Sequence, residues 1–248
     1  MLFRSAMETP HYMIISIGFI LLTLFFYGFV LRELKTVLPK TNFSLTQQKK
    51  IFNRSLTALI FWFGITTGLS LSGFLSNFSS FPPRIMGVLV VPLVAILWIT
   101  FSKTSTEIVK HVPPQNLVRL QSFRIFVEIL LWMLFLQNLI PVQMSFEGRN
   151  FDILAGLSAP VAAFLISRNK ISGKGIIVWN ILGLALLLNI VSIAILSLPG
   201  PFRYFMNEPA NTIVTHFPII FLPAFLVPLA YGLHFLSIKQ TIHSLKGK

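Results

Sequence analysis

The recurrence of long apolar stretches limits the possible folds of this chain more than any other feature of its sequence. A helix needs about 20 predominantly apolar residues to cross the hydrocarbon core of a bilayer. Seven segments approach or reach that length, and they cover residues 12–31, 55–75, 85–102, 122–140, 152–168, 175–197 and 216–238. The sequence therefore predicts an all-α integral membrane protein, in which residues 1–248 form a single polytopic membrane domain with a bundle of seven transmembrane helices.

The composition agrees with this prediction and argues against a soluble domain, thiol chemistry and a nucleic-acid partner. Hydrophobic residues make up 54% of the 248 residues and charged residues only 11%, a far more apolar balance than that of a soluble domain. The chain has no Cys, which excludes disulfide and thiol chemistry. A net charge of +13 would indicate a nucleic-acid partner in a soluble protein. Here the positions of the basic residues explain the charge, so we expect a lipid bilayer and no nucleic acid as the partner.

The basic residues are concentrated in alternate loops, and this predicts the orientation of the bundle. Short cytoplasmic loops are enriched in Lys and Arg. Sixteen basic residues fall in one set of loops: Arg32, Lys35, Lys40, Lys49, Lys50, Arg54, Lys103, Lys110, Arg119, Arg124, Arg168, Lys170, Lys174, Lys239, Lys246 and Lys248. The other set has four, Arg4, Arg84, Arg149 and Arg203. We therefore expect the N-terminus outside and the C-terminus in the cytoplasm, in a bacterial cytoplasmic membrane or a eukaryotic equivalent.

Tryptophans and small residues indicate how the helices are anchored and packed. Trp62, Trp98 and Trp179 fall near the cytoplasmic ends of their stretches, where indole rings collect at the level of the headgroups. Trp132 lies near the middle of the fourth stretch, where its N–H group needs a partner. Stripes of small residues predict close helix contacts. They comprise Gly64, Gly68 and Ser72 in the second stretch and Ala155, Ala159 and Ala163 in the fifth.

Prolines predict a bend in the seventh stretch. Pro223 and Pro228 each remove an internal hydrogen bond, and the carbonyl groups that they free must find other partners or face water. Broken helices commonly mark binding sites in transporters, and a purely structural kink is the alternative.

The third and seventh stretches also resemble each other. Residues 91–98 align without gaps on residues 227–234, and a Lys follows five residues later in both cases. The second and sixth stretches share a Trp near the start and a Gly further along. This pattern would fit a 3+1+3 parallel repeat, in which the fourth span joins two three-helix units. Chance similarity between apolar helices is the alternative.

The fourth stretch carries the carboxylate that lies deepest in a predicted span, Glu128. An intramembrane ionisable residue is a candidate functional site. Arg124 and Trp132 lie four residues to either side, on the same helical face. One interpretation is a structural ion pair between Arg124 and Glu128, and the other is a binding site for a proton, a cation or another small solute. The candidate substrate- or ion-binding residues are Arg124, Glu128, Trp132, Asn180, Asn189 and His234, with Pro223 and Pro228 at the helix bend.

A second polar group precedes the fifth stretch and continues in the next outer loop. This candidate outer-face cluster comprises Glu147, Arg149, Asp152, Arg203 and His216. Helix capping and loop salt bridges are the structural explanation, and acid–base chemistry at the membrane surface is the functional one. The five His include no pair at three- or four-residue spacing, so we expect neither a metal site nor a cofactor.

Three functions fit these patterns. The leading hypothesis is a small-solute or ion-coupled transporter with Glu128 as its charged site. The first alternative is a sensor or an assembly subunit of a membrane complex, whose partner would be another membrane subunit or a second copy of this chain. The second alternative is a membrane-embedded enzyme that acts on lipid or an envelope precursor at the outer face through Glu147, Asp152 and His216. The sequence favours a non-enzymatic function.

Overall fold

The computed structural model describes residues 9–246 and is all-helical in that range. Its nine α-helices are α1 (Pro10–Val37), α2 (Leu45–Leu71), α3 (Ile85–Phe101), α4 (Lys103–Lys110), α5 (Pro114–Leu120), α6 (Phe123–Leu136), α7 (Ile153–Ser167), α8 (Gly173–Leu196) and α9 (Val227–Lys246). A π-helical turn, Leu222–Leu226, leads directly into α9. Short 3-10 turns occur at Leu38–Lys40, Phe74–Ser76, Val142–Met144 and Ile213–Thr215. The predicted all-α architecture is confirmed.

Each predicted apolar stretch contains a helix, but the helices differ in length. Four helical segments in the described range are long and apolar enough to cross a membrane, namely Pro10–Lys40, Leu45–Leu71, Gly173–Leu196 and Leu222–Lys246. A fifth is formed if α3 and α4, which meet at an angle of 71°, count as one broken span. The 14 residues of α6 reach only about 21 Å at 1.5 Å per residue, short of a hydrocarbon core of about 30 Å. Long apolar helices of this kind are those of a membrane-embedded protein.

Large apolar side chains cover the outside of the helices as well as the core. Phe25, Trp98, Phe101 and Val161 are all exposed. An aqueous surface rarely carries such a contiguous apolar cover, whereas lipid tails do not penalise it. The exposed position of Trp98 is compatible with the predicted interfacial anchor.

The loops that contain most of the basic residues meet at one end of the bundle. Asn42 donates to Glu107 over 3.0 Å, and the Gln240 side chain donates to the Val109 and Val112 carbonyls over 2.6 Å. At the opposite end, the Ser76 and Thr215 hydroxyl groups hydrogen-bond over 2.8 Å, and the Phe81 ring packs against the Phe202 ring at an angle of 36°. The contacting loops of each predicted set thus share one end of the bundle. Arg4 and Lys248, which were counted in the orientation argument, lie outside the described residues.

The bend before α9 forms as a π-helical turn. The Val227 N–H group bonds to the Leu222 carbonyl, five residues earlier. Pro228 has no N–H group for the Ala224 carbonyl, four residues before it, and the Trp62 indole donates to that carbonyl over 3.0 Å. Tyr27 donates to the adjacent Phe225 carbonyl, also over 3.0 Å. The freed carbonyl therefore has a protein partner. Trp62 makes this contact toward the bundle, and its position at the membrane interface stays a prediction.

The two small-residue stripes have different environments. Ala155, Ala159 and Ala163 are buried, and α7 packs along α5 at this stripe. Gly156 beside them allows the backbone of α7 to approach the first turn of α6, because an added Cβ would lie 2.8 Å from the Ile125 nitrogen. Gly64 and Gly68 have no atom within 4 Å of an added Cβ. The stripe on α7 is therefore a helix contact as predicted, whereas the stripe on α2 makes no close contact within the described chain.

Candidate functional site

The segment between α6 and α7 runs back along α6 inside the bundle, and we call residues 137–152 the return segment. Asn138 begins the reversal with a left-handed backbone, at a φ of 53°. Three side-chain contacts fix the antiparallel register: Trp132 with Glu147, Glu128 with Asn150, and Arg124 with Asp152. Each step of four residues on α6 thus matches a step of two or three residues on the return segment. The predicted inner site and part of the predicted outer-face cluster lie together.

Asn150 holds the non-helical backbone of the return segment in place. Its side chain is fully buried, donates to the Met144 carbonyl over 3.0 Å, and accepts from the Asp152 N–H group over 3.0 Å. Its Nδ2 also donates to Glu128 Oε2 over 2.6 Å. Gly148 lets the segment fold tightly, because a Cβ there would lie 2.3 Å from the Val142 carbonyl oxygen. Irregular backbone within an apolar bundle requires such internal partners.

Arg124 forms an ion pair with Asp152. One interpretation of the sequence predicts Glu128 as its partner instead. Arg124 and Asp152 are both buried, and Arg124 Nε donates to Asp152 Oδ2 over 2.6 Å while Nη2 donates to Oδ1. Nη2 also donates to the Gly183 carbonyl over 3.3 Å. A two-point contact of this kind matches the planar guanidinium to the carboxylate. Arg124 was counted as a cytoplasmic loop residue, and that was wrong because it lies buried among α6, α7, α8 and α9.

His234 extends this contact to α8. Arg124 Nη1 lies 3.0 Å from His234 Nε2, and a guanidinium can only donate, so Nε2 is the acceptor. The ring proton therefore lies on Nδ1, which donates to Asn180 Oδ1 over 2.8 Å. The Asn180 amide in turn donates to Ser237 Oγ over 3.0 Å. The polar residues of the fourth, sixth and seventh predicted spans thus meet in one buried network, with His234 as a neutral imidazole.

Gly183 makes room for that imidazole. A Cβ at this position would lie 2.4 Å from His234 Cε1 and 2.7 Å from Nε2. The Trp179 ring covers the histidine from the preceding turn of α8, with ring centroids 5.6 Å apart, and its N–H group donates to Ser158. Trp179 thus has contacts within the bundle as well as its predicted position near one end of its helix.

Glu128 borders a cavity of about 90 Å³ on the other side of the network. Asp152 also reaches this cavity, and the walls come mainly from apolar residues of α3, α6, α8 and the π-helical turn. Such a volume exceeds the roughly 15 Å³ that one water needs by this measure. Pro223 contributes to the wall, so the predicted helix bend lies directly against the cavity. The arrangement can hold a small ligand beside two buried carboxylates.

The other members of the predicted outer-face cluster make separate contacts. The Arg149 guanidinium lies over the Phe205 ring, 5.6 Å from its centroid, and Asn189 donates to the Arg149 carbonyl over 2.8 Å. Arg203 donates a hydrogen bond to Glu208 and forms an exposed ion pair with it. This hydrogen bond is the main cause of the lowered pKa of Glu208. His216 Nδ1 lies 3.2 Å from the Thr212 carbonyl. Asn189, Arg203 and His216 thus each contact a backbone carbonyl, that of Arg149, Phe205 and Thr212 respectively.

Two residues of the network had no signal of their own in the sequence. Asn150 precedes an apolar stretch, a position typical of helix caps, and Gly183 is one of 14 glycines. Within residues 9–246, no group of three or more His, Asp or Glu side chains is arranged to hold a metal ion.

The comparisons with known proteins identify a family and no function. Neither the curated proteins nor the solved structures include a match to this chain. The model of a domain of unknown function, DUF8737, matches residues 82–242, well over half of the 248 residues. That range contains α3 to α8 and most of α9, and with them Arg124, Glu128, Asp152 and His234. The chain therefore belongs to the DUF8737 family.

Proposed function

We propose that this protein is a small-solute or ion-coupled transporter in which Glu128 is the charged site. The observation that carries the proposal is the electrostatic position of this residue. Glu128 is buried, its bonded partner Asn150 is a neutral amide, and Arg124 is engaged by Asp152. A carboxylate in an apolar bundle is stable when it holds a proton or pairs with a cation. Exchange between these two states is the elementary step of cation–proton coupling.

The backbone around the cavity supports the same proposal. The return segment and the π-helical turn both depart from α-helical geometry where they approach the cavity. Discontinuous helices near the middle of a bundle are a recurrent feature of transporter binding sites, and π-turns often occur at functional sites. The seven apolar helices would cross the membrane with the N-terminus outside and the C-terminus in the cytoplasm of a bacterial cell or its eukaryotic equivalent. The 3+1+3 repeat remains part of this proposal.

Cation–proton exchange in vesicles tests the proposal. The protein is reconstituted into acid-inside liposomes that contain a pH dye, and Na⁺, K⁺, guanidinium or propylammonium is added outside. We expect at least one cation to raise the internal pH faster than in protein-free vesicles. Glu128→Gln should abolish the exchange, and Glu208→Gln should retain it because Glu208 is exposed at one end of the bundle. Failure of all four cations, or full exchange by Glu128→Gln, would refute the proposal.

The open face of α2 favours a second candidate function, that of an assembly subunit. Of its 27 residues, the buried ones are Thr66 and Ser70, and Gly64 and Gly68 face open space. Small residues permit close contact between membrane helices. The partner would be another membrane subunit or a second copy. Cross-linking through a Cys placed at Gly64 in native membranes tests this candidate, and a chain that stays uncross-linked and monomeric in mild detergent contradicts it.

A further inference from the structure

The cavity beside Glu128 presents hydrogen-bond acceptors at an otherwise apolar wall. Its polar lining residues are Glu128, Asp152 and Asn211, and the remaining lining residues are hydrocarbon or thioether side chains and one Pro. Two carboxylates can only accept hydrogen bonds when they are ionised. The wall therefore selects for a ligand that carries N–H or O–H donors and an apolar body.

Asn211 adds an independent observation that points to a ligand. The side chain is 1% exposed, and its Nδ2 donates to the Ala194 carbonyl over 3.0 Å. This bond assigns the amide orientation, so the other terminal atom is the oxygen. That oxygen is buried and has no hydrogen-bond partner within the described chain. A buried acceptor without a partner is unfavourable by about 1–3 kcal/mol, and a donor group in the cavity would remove that penalty.

The charge of the residues that line the cavity decides which ligand with N–H or O–H groups it can bind. Asp152 is neutralised by Arg124, whereas Glu128 has a neutral partner. The cavity therefore has an excess of negative charge whenever Glu128 is ionised, and an anion would be repelled. A divalent metal ion needs several oxygen ligands at short distance, and the described residues offer no group of three or more His, Asp or Glu side chains for one. An alkyl chain with an ammonium head satisfies the carboxylate, the amide oxygen and the apolar wall together.

We infer that the cavity binds a small primary alkylammonium ion, with its N–H groups toward Glu128 and Asn211 and its alkyl chain against α3 and α8. This inference rests on the proposed function, since it names the substrate class of the same site. In most ligand pockets a few polar groups orient a mostly apolar molecule. The cavity would bind the cationic head and the alkyl chain of its ligand in the same way.

Binding to the full chain in lipid nanodiscs tests the inference, with propylammonium as the probe and titration calorimetry as the readout. We expect saturable binding of propylammonium. Binding of 1-propanol, which has the same chain length without charge, and of tetramethylammonium, which has charge without N–H donors, should be roughly tenfold or more weaker. Glu128→Gln and Asn211→Ala should each weaken propylammonium binding, the former by roughly 10- to 100-fold. Glu208→Gln and Asn207→Ala are the matched controls on exposed positions, and both should bind as the wild type does.

Equal binding of propylammonium and propanol would overturn the inference, because the cavity would then act as an apolar pocket alone. Unchanged binding by Glu128→Gln, or no binding of propylammonium to the wild type, would overturn it as well. The vesicle assay separates this failure from failure of the proposed function. Exchange of Na⁺, K⁺ or guanidinium without propylammonium binding leaves transport intact and rejects the ligand class, whereas propylammonium binding without exchange rejects transport and supports the site.

Discussion

Gly183→Ala should disrupt the buried network without removing any of its polar atoms. The new methyl group would occupy a point 2.4 Å from His234 Cε1, so the imidazole must move. Because His234 bonds to Arg124 on one side and to Asn180 on the other, its displacement breaks the hydrogen-bonded path from Arg124 through the imidazole to Asn180. Gly28→Ala on α1 is the matched control, since nothing lies within 4 Å of a Cβ at that position.

The expected loss of stability follows from three contributions. Overpacking in a dense interior destabilises by about 1–3 kcal/mol, and loss of a hydrogen bond from a charged donor by about 1.5–3 kcal/mol. Replacement of a helical Gly by Ala contributes about 0.8–1 kcal/mol in the opposite direction at both sites. We therefore expect Gly183→Ala to lower the free energy of unfolding by about 2–5 kcal/mol. Gly28→Ala should raise it slightly or leave it unchanged.

Unfolding in mixed micelles by titration with sodium dodecyl sulfate, followed by tryptophan fluorescence, measures both variants. A double-mutant cycle adds a sharper test. In a His234→Ala background the imidazole is gone, so Gly183→Ala should cost little, and the two substitutions should be strongly non-additive. If Gly183→Ala is as stable as Gly28→Ala in the wild-type background, or if the cycle is additive, the proposed packing of His234 on Gly183 is refuted.

Four further substitutions test other contacts. Arg124→Gln or Asp152→Asn alone should destabilise by about 3–5 kcal/mol because each leaves an unpaired buried charge, and the double variant should recover part of that loss in the same titration. Trp62→Phe should cost about 1–3 kcal/mol by leaving the Ala224 carbonyl unpaired, and a loss within error would contradict the assigned bond. Gly148→Ala should displace the return segment, and increased cleavage of that segment in limited proteolysis would report it.

The helices could be predicted from the sequence because apolar length is a local property. Residues 152–168 and 175–197 contain α7 and α8 almost to the residue, since a polar or glycine-rich segment borders each of them. The bend at Pro223 was equally accessible, because a missing N–H group needs no tertiary information. The number of helices that cross the membrane could not be predicted in this way, because α6 and α7 are too short to be assigned as spans by length alone.

The site could be predicted only in part, because its contacts join residues that are distant in the chain. Helical spacing suggested Glu128 as the partner of Arg124, but Asp152, 28 residues later, makes the ion pair. The return segment is polar, and polar segments between apolar stretches are ordinarily expected in water. Its burial depends on Asn150, whose hydrogen bonds compensate for the absent helix. No spacing rule anticipates a tertiary contact of that kind.

The distribution of charge within the network separates the structural residues from the functional candidate. Arg124 and Asp152 neutralise each other and bond to three segments, so replacing either one alone would destabilise the bundle whatever its function. His234 and Asn180 are neutral and transmit no charge. Glu128 differs from all four, since its charge has no direct ion pair and it borders the cavity. A bundle selected for stability alone would gain by replacing Glu128 with Gln, which could keep an amide-to-amide bond with Asn150 at a lower desolvation cost. The presence of an ionisable group without a direct ion pair at this position is therefore the strongest argument that the protein binds a proton or a cation there.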